Sequence, residues 1–438
     1  MSLVLSKGVF NDILDAIDRD NKELQELTHE NEDLAPRRQR RRTKCPHETL
    51  KLIRRYARSL YNVLVTDRSW SCHCKDDHAV SLQLKTRPPK ADSKLEEDPF
   101  RIILSRSTNM SRGSNVKSSG WDWRVLEVTT FEVKQEETDA TSVLPASKSD
   151  QNSLLNQLNG TAKRRIRFMD TPNDSKHKEK ELQSPNPATS PGSLITNICA
   201  RLCQDFAPGK EIGHLTEEGI CKHSLFLHDD SENHAGSYKF SLARVLSSVP
   251  YQGERFRLSR RERLSIALTL ASSVLQLDTT LWLQSWWTSE DIIFHTQGPN
   301  IVQLKAQPYL CCQICPDRSK RNEQQSSKET LLALGLTLVE LCFGKPLTEL
   351  KEPVDDTPND TIATRTKTAK RMFGQVYDEA GFRYGDIVKS CIEFPYPMPA
   401  AGFDDPKFQE AVYTTIVMPL AQNLDDFEGQ YLGGKGGL

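Results

Sequence analysis

Two segments of this chain are apolar on most sides when wound as helices. Residues 259–277 read "SRRERLSIALTLASSVLQL" and residues 328–344 read "KETLLALGLTLVELCFG". A helix without a broad polar face must be surrounded by other elements, so each of these predicts the centre of a folded core. Neither approaches the about 20 consecutive apolar residues that a membrane span requires. Ser259 with Glu262 three residues on is a capping-box start, and Gly344 followed by Pro346 is a helix stop. Further helices are expected at 241–248, 384–394 and 405–427, whereas 322–328 and 351–370 read as solvated loops and 431–438 as a frayed tail.

The first half has a different texture. Val9, Ile13, Leu14, Ile17, Leu24, Leu27 and Leu34 recur mostly at three- and four-residue spacings, and a second amphipathic pattern runs over 48–65, so an N-terminal helical hairpin is expected over 1–70. Period-two runs at 78–85, 100–105 and 121–128 read as strands. From about 135 to 191 the chain is rich in Ser, Asn, Thr, Lys and Pro and cannot bury a core, apart from a strand-like island "KRRIRF" at 163–168. A helix over 193–206, with Leu194, Ile198 and Leu202 aligned, precedes short strands at 212–215 and 224–227.

Charge is balanced, with 58 Lys and Arg against 59 Asp and Glu, so no global field favours nucleic acid or a membrane surface. Two basic clusters, 37–44 and 163–167, read as import signals or as solvated linker, and they lack the aromatic interleaving of a nucleic-acid site. Eleven cysteines, an odd number scattered over 438 residues, suggest reduced thiols in the cytoplasm or nucleus. Nor does the N-terminal segment follow the plan of a signal peptide.

A helical pair, strands, one helix, two strands and then a helical half is an order that resembles the protein-kinase fold. That resemblance implies an α+β, two-lobe architecture, with a small mixed lobe over 71–235 and a helical lobe over 236–430. Gly335, Glu340, Gly344 and Pro346 match the pattern of the buried helix in a kinase large lobe. The stretch "LQSWWTSEDIIF", 283–294, stands where a kinase carries its catalytic loop. With Asp291 set against the metal-holding Asn of H-R-D-L-x-x-x-N, Gln284 takes the His position, Trp286 the catalytic Asp position and Thr288 the loop Lys position. Trp286 cannot accept a proton. Asp291 remains a candidate metal or nucleotide ligand, but the region where D-F-G should follow reads Leu304, Lys305, Ala306, and no Gly-rich loop or V-A-I-K motif occurs. The large apolar bodies Trp282, Leu283, Trp286 and Trp287 are expected to fill or cover the cleft instead.

More narrowly, the chain resembles a fungal family of unknown function, kinase-like in its second half and often found behind a HeLo-type helical region. The features that carry this are Cys72-x-Cys74-x3-His78-x-Val80-x-Leu82-x-Leu84, "IRF" at 166–168, the helix around Ile198 and Cys199, and Trp282-Leu283 after the Arg263, Leu268, Ala271 helix. Pro308-Tyr309-Leu310, "LALGLTLVELCFG" and "FQEAVYTTIVMPL" complete the set. Against the usual family arrangement the chain begins well inside, with most of the preceding helical region missing. The resemblance implies no established catalysis, no cofactor, and at most a role in signalling or self/non-self recognition through protein partners.

Cys72, Cys74 and His78 offer three soft ligands within seven residues, but a zinc site needs four, and the fourth would have to come from afar. The competing reading is a turn into a strand with cysteines packed as small hydrophobes. Cys311, Cys312 and Cys315 read as structural, as do His214, His223 and His228. Ser/Thr-Pro sites at 169–172, 183–187 and 189–191 would suit proline-directed kinases. Three functions follow in order: a catalytically inactive, kinase-like interaction or regulatory module; a residual nucleotide-binding or phosphotransfer enzyme using Asp291; and a zinc-binding nuclear regulator using Cys72, Cys74 and His78.

Overall fold

The computed structural model of the protein describes residues 14–22, 25, 45–65, 69–87, 98–106, 121, 123–133, 192–228, 238–250, 256–296, 307–314, 326–358, 360–394, 399 and 401–433. Both basic clusters, the insert and its "KRRIRF" island therefore lie outside the described residues, as does most of the segment joining the two N-terminal helices.

The chain begins its main body with α1 (His47–Val65), then β1 (His78–Gln83), β2 (Phe100–Arg106) and β3 (Trp123–Glu132). A short α2 (Ile198–Leu202) leads to β4 (Glu211–Glu217), β5 (Cys221–Leu227), β6 (Tyr238–Ser241) and α3 (Leu242–Leu246). Next come α4 (Arg260–Leu277), β7 (Ile292–Thr296), β8 (Tyr309–Gln313), α5 (Ser327–Phe343) and α6 (Leu347–Leu350). The remainder is helical: α7 (Thr361–Arg371), α8 (Phe373–Ala380), α9 (Phe382–Glu393), α10 (Pro406–Val412), a π-helical turn (Tyr413–Val417) and α11 (Met418–Gly433).

The architecture is α+β, and the described strands form one antiparallel eight-stranded sheet in the order β4-β5-β3-β2-β1-β8-β7-β6. The junction is at β1, which pairs with β2 on one side and with β8 on the other (Ala79 to Gln313 through Gln83 to Tyr309). Strands from the two halves of the sequence thus share a single sheet. Period two decides its faces: Val80, Leu82, Ile102, Leu104, Leu126 and Val128 enter the main core, while Ile103, Trp123, Val125 and Tyr309 cluster on the other side.

The two apolar helices are buried as their composition requires. Ser259 Oγ accepts from the Glu262 amide and the Glu262 carboxylate accepts from the Ser259 amide, closing the capping box of α4. Helix α5 ends at Gly344 in the left-handed conformation (φ 61°), and the buried Glu340 carboxylate accepts from the Leu347 amide at the start of α6. This arrangement accounts for the Glu, Gly and Pro spacing: Glu340 caps the helix that Pro346 introduces. Arg263 of α4 donates to the carbonyls of Leu341 (3.0 Å) and Cys342 (2.5 Å), satisfying the end of α5.

Helix α1 belongs to this same core, packed on α4 and against β4 and β5, with Ile53, Ala57, Leu60 and Leu64 buried. Its Arg54 donates to the Leu275 carbonyl (2.9 Å), and Ser59 hydrogen-bonds His223 of β5 (2.9 Å), whose other ring nitrogen meets Thr130 of β3 (2.9 Å). The helical stretch 14–22 leaves Leu14 and Ile17 exposed.

Two expectations are corrected. Residues 361–371 are helical rather than a solvated loop: Asp360 caps them by accepting from the Ala363 amide (2.8 Å), and Arg371 pairs with Asp355 (2.9 Å). Helix α2 is also shorter than 193–206. Asn197 is its N-cap, and the preceding residues run extended, Ile195 donating to His214 of β4 (2.8 Å), with Leu194 exposed.

Two measurements check this packing. A Cβ on Gly335 would lie 2.7 Å from Ile392 Cγ1 and 2.8 Å from Cys391 Cβ, so Gly335→Ala in urea unfolding is expected to lose about 1–3 kcal/mol despite the better helix former. Burial pushes His223 down to about 4. Its neutral ring favours the native state at neutral pH, and that contribution disappears as pH falls from about 6.5 towards 4 while the unfolded chain protonates first. Between pH 7 and pH 4 the wild type should therefore lose about 3 kcal/mol more than His223→Gln; parallel losses would contradict the assignment.

Candidate functional site

The segment after α1 is turned by Trp70, whose indole donates to the Leu64 carbonyl (2.7 Å). A single 3-10 turn, Lys75–Asp77, then separates Cys74 from His78, the first residue of β1. The turn brings both side chains to one side. Helix α2 reaches the same point from the far end of the insert, because Ser193–Ile195 lies along β4. That approach needs Gly213 (φ 137°), where a Cβ would sit 2.6 Å from the Ser193 carbonyl oxygen. Asn197 starts α2, and Cys199 stands in its first turn.

The four donor atoms of Cys72, Cys74, His78 and Cys199 all lie within 4.8 Å of one another. Cys74 Sγ is 3.8 Å from Cys199 Sγ and 3.4 Å from His78 Nε2. His78 is fully buried, its ring between Trp70 (centroids 4.8 Å) and Trp121 (5.3 Å, nearly parallel). Burial and the nearby Arg106 push the imidazole below its ordinary value, so it is neutral with Nε2 aimed at the thiols. Its Nδ1 has no hydrogen-bond partner among the described residues. Burial pushes the Cys72 and Cys199 thiols up, and for Cys199 the neighbouring thiols add to the rise. A cation at the centre would reverse both effects.

The three residues singled out by sequence are thus brought together, and the missing fourth is Cys199, 125 positions beyond Cys74. Cys72 and Cys74 also pack against the main core, as the reading of them as small hydrophobes expects, and with His78 and Cys199 they form a cluster of four donors. In the sequence Cys199 is marked by its place in a helix just after the insert and by the family resemblance, not by spacing from the other three.

The loop that leads from α4 to β7 is held by packing and by its own turn. Trp282, Leu283 and Trp287 are buried, and the Trp282 indole donates to the Ala57 carbonyl of α1 (2.8 Å). Of the residues expected to fill or cover the cleft, Trp286 is the exposed one, at 43%. Asp291 is exposed and closes the loop on itself, its Oδ2 accepting from the Thr288 amide (2.8 Å) and hydroxyl (3.1 Å). Glu290 accepts from Ser241 Oγ (2.6 Å). Residues 301–306 and Cys315 fall outside the described residues, so neither the D-F-G position nor the third cysteine of that group is placed.

Two other groups escaped the sequence reading. Burial pushes Asp278, just after α4, up to about 6, and its Oδ2 accepts from Ser327 Oγ (3.0 Å) at the start of α5. Cys45, His47 and Glu410 also lie together, but the Glu410 carboxylate already accepts from the Cys45 amide (3.2 Å) and lies 3.3 Å from His47 Nε2. That contact joins the start of α1 to α10. No helix among the described residues is long and apolar enough to cross a membrane.

No curated protein matches the chain. A solved structure, the complex of Neurospora crassa PAN2 (WD40-CS1) with PAN3 (pseudokinase and C-term), contains a chain similar at 9% identity with a TM-score of 0.28, over 88% of this chain and 73% of that one. A family model matches residues 47–427, from the first turn of α1 into α11, and the chain accordingly belongs to the family described as Domain of unknown function (DUF7580).

Proposed function

We propose that the chain is a non-catalytic, kinase-like interaction module. The observation that carries this reading is the pairing of β1 with β8. A kinase holds its nucleotide between the Gly-rich loop of the first strands and the metal-binding residues that follow the catalytic loop. Here the first strand is hydrogen-bonded directly to a strand of the second half. Paired strands are about 4.8 Å apart, which leaves no layer between them for a purine.

The connection leaving β1 is held down as well. Leu84 donates to the Pro308 carbonyl (2.9 Å), Arg87 to Gln276 of α4 (2.7 Å), and Gln276 to the Lys85 carbonyl (3.1 Å). Helix α2, in the place of a kinase's small-lobe helix, carries no acid to pair with a phosphate lysine; its Arg201 is buried and donates to the Ile212 carbonyl (2.5 Å). Asp291 is engaged in its own turn. With the exposed Leu281 and Trp286, the loop offers an apolar surface suited to a protein partner.

A thermal-shift titration with ATP, ADP and GTP, each with and without Mg2+, tests the reading. A nucleotide at 100 times its Kd would stabilise the native state by about 2.7 kcal/mol; no rise in Tm is expected with any of them. Asp291→Ala should lose only about 1 kcal/mol of stability, the worth of its turn. A Mg2+-dependent rise that this substitution abolishes would overturn the proposal in favour of a residual nucleotide site.

A further inference from the structure

We propose that Cys72, Cys74, His78 and Cys199 bind one Zn2+, which fastens helix α2 to the start of β1. The inference is independent of whether a nucleotide cleft exists.

The geometry points to this ion. At Zn–S about 2.3 Å and Zn–N about 2.0–2.1 Å, tetrahedral donors stand roughly 3.5–3.8 Å from one another. The distances from Cys74 Sγ to His78 Nε2 and to Cys199 Sγ, 3.4 and 3.8 Å, are edges of such a tetrahedron. Three sulfurs and one imidazole nitrogen suit zinc, whereas calcium and magnesium require oxygen donors. Four protein ligands also complete the coordination, leaving no open position for water or substrate, so the site is structural rather than catalytic.

The surroundings fit a closed site. Trp70 and Trp121 sandwich the His78 ring, an orienting role that a hydrogen bond to the second nitrogen usually fills. Binding releases the three thiol protons to solvent and leaves a ZnS3N centre of net charge −1. Arg106, directly across from His78 in the β1–β2 register, supplies a positive charge beside it.

The fold gains a cross-link. Three ligands lie at or before the start of β1 and the fourth lies beyond the insert, so the ion closes a long chain loop whose closure otherwise costs conformational entropy. It also holds α2, five residues long and too short to persist alone, against the sheet.

Metal analysis of the purified full chain by mass spectrometry should give about one zinc per chain. Cys199→Ser and Cys74→Ser should lose it, while Cys203→Ser, an exposed cysteine in the same segment, should keep it. Cobalt substitution provides an independent readout: a thiolate-to-cobalt charge-transfer band is expected in the wild type and in Cys199→His, which retains a fourth donor. Should the serine variants fail to fold, alkylation of the wild type decides, because Cys72, Cys74 and Cys199 should react only after a chelator is added. Zinc-free protein that takes up no cobalt would overturn the proposal. So would zinc retained in Cys199→Ser, or a disulfide found between any two of the three cysteines.

Discussion

Hydrogen bonds between β1 and β8 join the first strand of the sheet to the last, and the rest of the molecule is organised around that seam. Such a contact carries an entropic cost, because about half of the chain must be looped between the two strands. What repays it is the burial of α4 and α5. Neither helix has a polar face to give to water, so α1, the sheet and the later helices must close around them.

Around the seam, polar groups fasten one element to the next. Glu340 caps α6, Arg263 ends α5, His223 ties α1 to β3 and β5, and Asp291 stiffens its own loop. Buried polar groups of this kind cost stability unless every partner is present, and they define one packing when it is. The Cys72, Cys74, His78 and Cys199 cluster belongs to the same pattern. It sits where α2 meets β1, the place least supported by local sequence, since only five residues of helix connect the insert to β4.

Much of this was legible in the sequence because it depends on near neighbours. The Ser259–Glu262 capping box, the Gly344 stop and the alternation of β1 to β3 are decided within a few residues, and the structure realises them. Helix α7 was misread because its four threonines argue against helix, whereas its cap on Asp360 and the Arg371–Asp355 pair decide otherwise. Strand β8 was missed since "YLCCQ" has no clean alternation, and its assignment rests on a partner from the far half of the chain. For the same reason Cys72, Cys74 and His78 could be named from spacing while Cys199 could not. Bulk alone did not tell which of the tryptophans expected to fill or cover the cleft is buried: Trp282 and Trp287 are, whereas Trp286 is exposed.

Hydrogen exchange at the seam tests the central claim most directly. Amides in peptides covering 78–84 and 308–314 should exchange as slowly as those of β2 and β3, because one cooperative sheet contains them all. Rapid exchange confined to those two peptides, with β2, β3 and α5 still protected, would mean that the halves part like the lobes of an open cleft, and the account would be wrong.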